Sequence, residues 1–93
     1  MNEPVYTLEI VTPQGLAYTG RAAHALIPVD HGYVGVLANH APYLTASSGG
    51  RLTIREGTGL VREFTVGDGF FEINENRAVF LTKTCAKTEN GPV

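Results

Sequence analysis

GGRLTIREGTGLVREFTVGDGFFEINENRAVFLT, residues 49–82, alternates apolar and polar residues and is broken at short intervals by turn chemistry. Leu52 and Ile54 share one face, against Arg51, Thr53 and Arg55 on the other. That period of two belongs to a strand with one face buried and one solvated. Glu56-Gly57-Thr58-Gly59 closes a hairpin, and the return strand carries Phe64 and Val66 inward. Gly67-Asp68-Gly69 turns or bulges the chain, and Phe71 and Ile73 continue the inward pattern. Asn74-Glu75-Asn76 reverses it again, and the last run extends from Arg77 to about Lys83, with Val79 and Leu81 alternating against Ala78, Phe80 and Thr82.

The same pattern extends toward the N-terminus. Tyr6, Leu8 and Ile10 face one way and Thr7 and Glu9 the other, up to the turn Thr12-Pro13-Gln14-Gly15. A second strand through Leu16, Tyr18 and Gly20 completes a hairpin. Ala22 to Pro28 is apolar on both faces apart from His24, the pattern of a strand buried on both sides or covered by a partner. A Gly-rich loop at Val29 to Tyr33 precedes a short strand at Val34 to Leu37, then the irregular stretch Ala38 to Pro42, a strand at Tyr43 to Ala46 and a turn at Ser47 to Gly50. No stretch has the period of an amphipathic helix. The reading is all-β: a flattened β-sandwich of about nine to ten short, mainly antiparallel strands in two sheets. One domain is expected over residues 1–84, with 85–93 as a short flexible tail, because Gly, Pro and Asn replace the alternation there.

Size and composition bound the function. Ninety-three residues supply one core with a modest stability margin, which a permanent partner would widen. The chain is 43% hydrophobic and 17% charged, a soluble globular composition. A net charge of −2 with scattered Lys and Arg offers no footprint for nucleic acid. No apolar run approaches the ~20 residues of a membrane span, and the N-terminus reads as lacking a targeting signal. The single Cys85 cannot form an internal disulfide, which fits a reducing compartment.

Candidate chemistry is sparse. His24, His31 and His40 are the only ligand or base candidates, and their spacing brings no two imidazoles together locally, so no metal site is expected. Ser47 and Ser48 sit in a turn without a nucleophile motif. The glycines from Gly32 to Gly35 precede neither a helix nor a Lys-Ser/Thr pair, so they form no phosphate cradle. Glu3, Glu9, Asp30, Glu56, Glu63 and Glu72 fall on separate elements and make no catalytic pair. No cofactor and no enzymatic activity are expected. These residues by themselves leave open a generic interaction sandwich, or a small-ligand or metal-binding domain using the three histidines.

The order of segments carries a resemblance. LEIVTPQGLAYTG (8–20), PVDHGYVGVLANHAPYLT (28–45), GGRLTI (49–54) and FTVGDGFFEINENRAVFLT (64–82) are similar, in the same order, to the N-terminal β-sandwich of the epsilon subunit of F-type ATP synthase. The most specific parts are His40-Ala41-Pro42-x-Leu44-Thr45 and the run from Gly69-Phe70 through Glu72-Ile73 to Asn76-Arg77. The likeness spans about residues 6–84. It implies a noncatalytic subunit at the foot of the rotating stalk, held between the gamma subunit and the c-ring. Such a subunit sits peripherally on the cytoplasmic face of a bacterial inner membrane and couples proton transport to ATP synthesis. Residues matching gamma-facing positions are Thr12, His40 and Thr45. Asp30, His31, Gly32 and Tyr33 match the loop that approaches the c-ring.

Three departures qualify the implication. The c-ring loop is often acidic in the family, whereas here only Asp30 is acidic, beside His31 and Tyr33, so charge complementarity is expected to be weakened or replaced by aromatic packing. Asn39 stands where the family has Gly, and Asn tolerates the left-handed backbone that such a turn uses. Typical members continue into a helical hairpin that restrains ATP hydrolysis and in some bacteria binds ATP. The ten residues after Lys83 are too few for two helices of roughly 10–14 residues each, so that inhibitory and sensing function is expected to be missing.

Overall fold

The computed structural model describes residues 3–88. Among the described residues nine strands form in order: β1 (Tyr6–Thr12), β2 (Gly15–Val29), β3 (Gly32–Leu37), β4 (Tyr43–Ser47), β5 (Gly50–Glu56), β6 (Val61–Val66), β7 (Gly69–Asn74), β8 (Arg77–Thr82) and β9 (Cys85–Lys87). They make a β-sandwich whose two layers belong to one hydrogen-bonded path, β4-β7-β8-β1-β2-β5-β6-β9, with β3 on β2. All pairings are antiparallel except β1 with β8.

The expected pair of sheets is joined because β2 does not break where the sequence suggested. Its first half, Gly15–Ala22, pairs with β1, and its second half, from His24 on, pairs with β3. Ala22 pairs with both β1 and β5, and Leu26 with both β3 and β5, so β1 and β3 follow one another along one edge of β2 while β5 takes the other. The register against β5 slips between Ala22 and His24, leaving Ala23 as an extra residue, and the chain bends into the second layer there. Gly20, read as a strand end, is interior to β2: a Cβ on it would collide with the Tyr18 hydroxyl, which crosses that space to donate to Glu56 Oε2 at 2.6 Å.

One core fills the space between the layers. Tyr6, Leu8, Ile10, Ile27, Val36, Leu52, Ile54, Phe71, Ile73 and Phe80 are all buried in it. In β8 it is Ala78, Phe80 and Thr82 that turn inward. Tyr6 is among the largest fully buried side chains, and its hydroxyl donates to the Val36 carbonyl at 2.9 Å. The stretch Ala22 to Pro28 is fully covered on its inner face, whereas on the outer one Pro28 is buried and Leu26 remains 40% exposed.

The tail expected from residue 85 begins as structure. Cys85–Lys87 pair with Phe64–Val66 of β6, and the Thr88 N–H donates to the Glu63 carbonyl at 2.9 Å. The Gly67 N–H donates to Thr84 O at 2.9 Å, and the buried Thr82 hydroxyl lies within 3.1 Å of the Gly67, Asp68 and Thr84 carbonyls. Backbone pairing of this kind requires no apolar alternation, which is why the pattern gave no sign of it. Residues 89–93 of that expected tail lie outside the described residues.

Candidate interaction surface

The strand period that buries Ile10, Phe71 and Phe80 forces their neighbours Val11, Phe70 and Leu81 onto the opposite face. Register then lines those neighbours up. Ala46 pairs with Phe70, Phe70 with Leu81, Leu81 with Val11, and Val11 with Leu16. The result is an apolar row across β4, β7, β8, β1 and β2, roughly 19 Å long at the usual interstrand spacing. Phe70 is 57% exposed, Leu81 51% and Leu16 55%. Beside the row lies a groove of about 410 Å³ walled by Val11, Pro13, Phe70 and Leu81, with Asp68 and Lys83 at its rim. The next row along the strands is Leu44, Glu72, Val79, Glu9 and Thr19, which adds one exposed leucine and two carboxylates.

Thr12 lines the groove, and its Oγ1 accepts the Gln14 N–H at 3.2 Å, which holds the β1–β2 turn. Thr45 pairs with Phe71 on β4, so its side chain is directed to the inner side, with Oγ1 donating to the Ala46 carbonyl at 3.2 Å. His40 lies in the loop before β4, its Nδ1 2.6 Å from Ala41 O and its ring 5.9 Å from that of Tyr43. The three therefore do not converge: Thr12 ends β1, three strands away from the β4 edge that carries Thr45. The loop holding His40 is fixed by a mutual pair, Asn39 N–H to Asn76 Oδ1 at 2.7 Å and Asn76 Nδ2–H to Asn39 Oδ1 at 3.0 Å. Asn39 has φ +66°, the left-handed conformation anticipated for it.

The Gly-rich loop is a tight hairpin. Val29 pairs with Gly32, so only Asp30 and His31 form the tip, while Gly32 and Tyr33 belong to β3. The tip is anchored: the Asp30 N–H donates to the Ala46 carbonyl at 3.1 Å, and the Ser48 hydroxyl to Asp30 Oδ1 at 2.9 Å. His31 is exposed, with φ +70°. Tyr33, 53% exposed, is not at the tip; it leans over Pro28, and its Oη accepts the Arg51 N–H at 3.4 Å.

The titratable groups have structural roles. Burial pushes the Tyr6 and Tyr18 hydroxyls well above the ordinary tyrosine range, and the hydrogen bond to Glu56 adds to it at Tyr18. Glu56 Oε2 also accepts from Arg62 Nε at 3.2 Å. Burial raises the Cys85 thiol pKa. Among the described residues no three His, Cys, Asp or Glu side chains gather as a metal site would need, and no helix is long and apolar enough to cross a membrane.

The description "ATP synthase, Delta/Epsilon chain, beta-sandwich domain" matches residues 5–88. The chain belongs to this family. It is 34% identical over 82 residues to the ATP synthase epsilon chain of Chlorobaculum tepidum, covering 88% of this chain and 93% of that one. It is 38% identical over 78 residues to the ATP synthase epsilon chain of Anaeromyxobacter sp. (strain K), covering 84% of this chain but only 58% of that one. The fold recurs in the Euglena gracilis mitochondrial ATP synthase complex of OSCP, F1 and c-ring, with a TM-score of 0.82 at 20% identity over 94% of this chain and 56% of the other. It also recurs in the central stalk and c-ring of Tetrahymena thermophila mitochondrial ATP synthase, at 0.74 and 12% over 92% of this chain and 69% of the other.

The apolar row was not anticipated from the sequence, although its signal is there. Ile10-Val11, Phe70-Phe71 and Phe80-Leu81 are adjacent large apolar residues within strands, and alternation can bury only one of each pair. Three doublets placed side by side by the register make a surface rather than three isolated exposures.

Proposed function

We propose that this chain is a noncatalytic central-stalk subunit of an F-type ATP synthase, a peripheral part of the membrane-bound complex. In this reading it joins the gamma subunit to the c-ring and supports coupling of proton transport to ATP synthesis on the cytoplasmic face of a bacterial membrane. Family membership supports the assignment to the complex. The observation that carries the bridging role is one hydrogen bond: Ala46, at the end of the apolar row, accepts from Asp30 at the hairpin tip.

Two surfaces thereby share one rigid body. The row from Ala46 to Leu16 suits a gamma partner with an apolar ridge, since apolar area at the centre of an interface supplies most of its stability. Thr12, at the groove, is the part of the gamma-facing surface that adjoins the row, whereas His40, in the loop before β4, and Thr45, turned inward on that strand, meet gamma at the β4 edge. Asp30 and His31 form the tip that would meet the c-ring, with Gly32 and Tyr33 behind it. Torque passes through such an element only if the two contacts cannot shift independently, and the Asp30 and Ser48 bonds oppose that shift. Residues 3–88 contain no helix, so helix-borne restraint of hydrolysis is not part of what this sandwich does.

Mixing the chain with gamma, then with the c-ring, tests the reading by co-elution and by ATP synthesis in reconstituted vesicles. One-to-one complex formation with gamma and restored coupling are expected, and no complex at micromolar concentrations would overturn the role. Addition to F1 lacking this subunit is expected to leave ATP hydrolysis unsuppressed.

A further inference from the structure

We propose that the free chain forms a two-fold dimer by pairing β3 with β3 of a second copy. This goes beyond the rotor reading and does not depend on it. Among the described residues β3 pairs only with β2, so its outer edge is open. Exposed edges in soluble proteins are normally blunted by Lys, Pro, a bulge or a very short strand. The other two edge strands follow that rule. β9 is 3 residues long and ends in Lys87, and β4 is only 5 residues long with its Ala46 carbonyl taken by the Asp30 N–H. β3, with the sequence GYVGVL, runs 6 residues without a charge, a proline or a register shift.

The backbone indicates how the edge is presented. Val29 and Gly32 close the two-residue turn, and hydrogen bonding in an antiparallel pair alternates from that closing pair. Val34 and Val36 thus direct their N–H and C=O groups at β2, while Tyr33, Gly35 and Leu37 direct theirs outward. Pro28, which has no N–H, pairs with Tyr33, a position at which none is needed toward β3. Among the described residues, Tyr33 leans away from this edge over Pro28, and Gly35 has no side chain to shield it.

The same three residues make the edge complementary to itself. In antiparallel pairing centred on Gly35, Gly35 faces Gly35 of the second copy, and Tyr33 faces its Leu37. Outward-bonding positions then meet outward-bonding positions, and Leu37 (55% exposed) of each copy is placed beside Tyr33 (53% exposed) of the other, on the face that carries Leu26 (40%). An isologous contact of this kind closes at two copies and does not propagate. A strand of this length spans roughly 20 Å, so the contact is at the small end of specific interfaces and the dimer should dissociate on dilution.

Sedimentation velocity from micromolar to millimolar chain is expected to shift from 10.0 kDa toward twice that mass. Leu37→Lys, checked by circular dichroism for an intact fold, is expected to abolish the shift. For a direct readout, Gly35→Cys in a Cys85→Ser background should crosslink to itself under mild oxidation far faster than Thr58→Cys in the same background. Facing residues of a hydrogen-bonded pair have Cα atoms about 5.5 Å apart, within disulfide reach. A Cβ at position 35 meets only His24 Nε2, 3.3 Å away on a side chain that can turn. A chain monomeric throughout the range, a dimer that survives Leu37→Lys, or crosslinking at Gly35 no faster than at Thr58 would each overturn the proposal. Gamma capture reads the opposite layer, so failure of one experiment leaves the other informative.

Discussion

Replacing Phe70 and Leu81 together by serine separates a binding surface from ordinary surface. In the free chain these side chains are 57% and 51% exposed, so about half of each remains to be covered by a partner. Full burial of such a side chain is worth about 1.5–3 kcal/mol, which leaves about 1 kcal/mol each for association. The pair faces each other across β7 and β8, so coupling makes the sum approximate, near 2 kcal/mol. At 1.4 kcal/mol per decade that is roughly a 30-fold weaker complex with gamma. The stability lost from the halves already buried is similar, about 2 kcal/mol, tolerable for a domain of ordinary stability. Isothermal titration against gamma, with a urea titration of each chain alone, measures both quantities. A folded variant that binds gamma within about threefold of the parent would remove the row from the interface.

Four other outcomes are expected. Phe71→Asp places an unpaired charge at a site with no solvent exposure and should leave the chain unfolded by circular dichroism, since the cost of several kcal/mol approaches the whole stability. Glu75 holds φ +50° in a two-residue turn beside Asn76 at +62°; Glu75→Asn should relieve that left-handed strain and raise the urea midpoint by about 0.5–1 kcal/mol equivalent. Tyr6 and Tyr18 stay protonated in the fold at pH values where the unfolded chain has begun to ionise. Their contribution is therefore complete below about pH 10 and declines above it, approaching about 1.4 kcal/mol per pH unit for each tyrosine, and stability measured across about pH 9–12 should be level at first and then fall toward that slope, less steeply in Tyr6→Phe. Tyr33→Asp should leave the fold intact and weaken attachment to the c-ring in reconstituted vesicles; unchanged coupling would remove Tyr33 from that contact.

What was legible followed from period and turn chemistry. Leu52, Ile54, Phe64, Phe71 and Ile73 declare their face by alternation alone, and all are buried. Asn39 was readable because few residue types accept a left-handed backbone. The illegible parts depend on interactions between distant residues. Gly20 looked like a strand end, yet it makes room for Tyr18 to reach Glu56, thirty-eight positions away. β9 formed without apolar alternation because its pairing is backbone to backbone. In the candidate site, only Asp30 and His31 of the loop read from the sequence are at the hairpin tip, and Gly32 and Tyr33 belong to β3. The apolar row needed the register between five strands, which no single segment contains.

The parallel pairing of β1 with β8 has a consequence for how the chain is made. Thr7 lies opposite Arg77 and Val11 opposite Leu81, so the first strand synthesised waits for nearly the last before one of its edges is filled. A ribosome adding some 5–20 residues per second leaves β1 half-paired for seconds, exposing to other nascent chains an edge that the finished domain hides. Contacts of such sequence separation also slow the final closure, because a long loop must be ordered before it is rewarded. Hairpins within residues 49–66 can form early, whereas the layer bearing the apolar row closes last. A chain released before residue 82 would lack not one strand but the means to complete that layer.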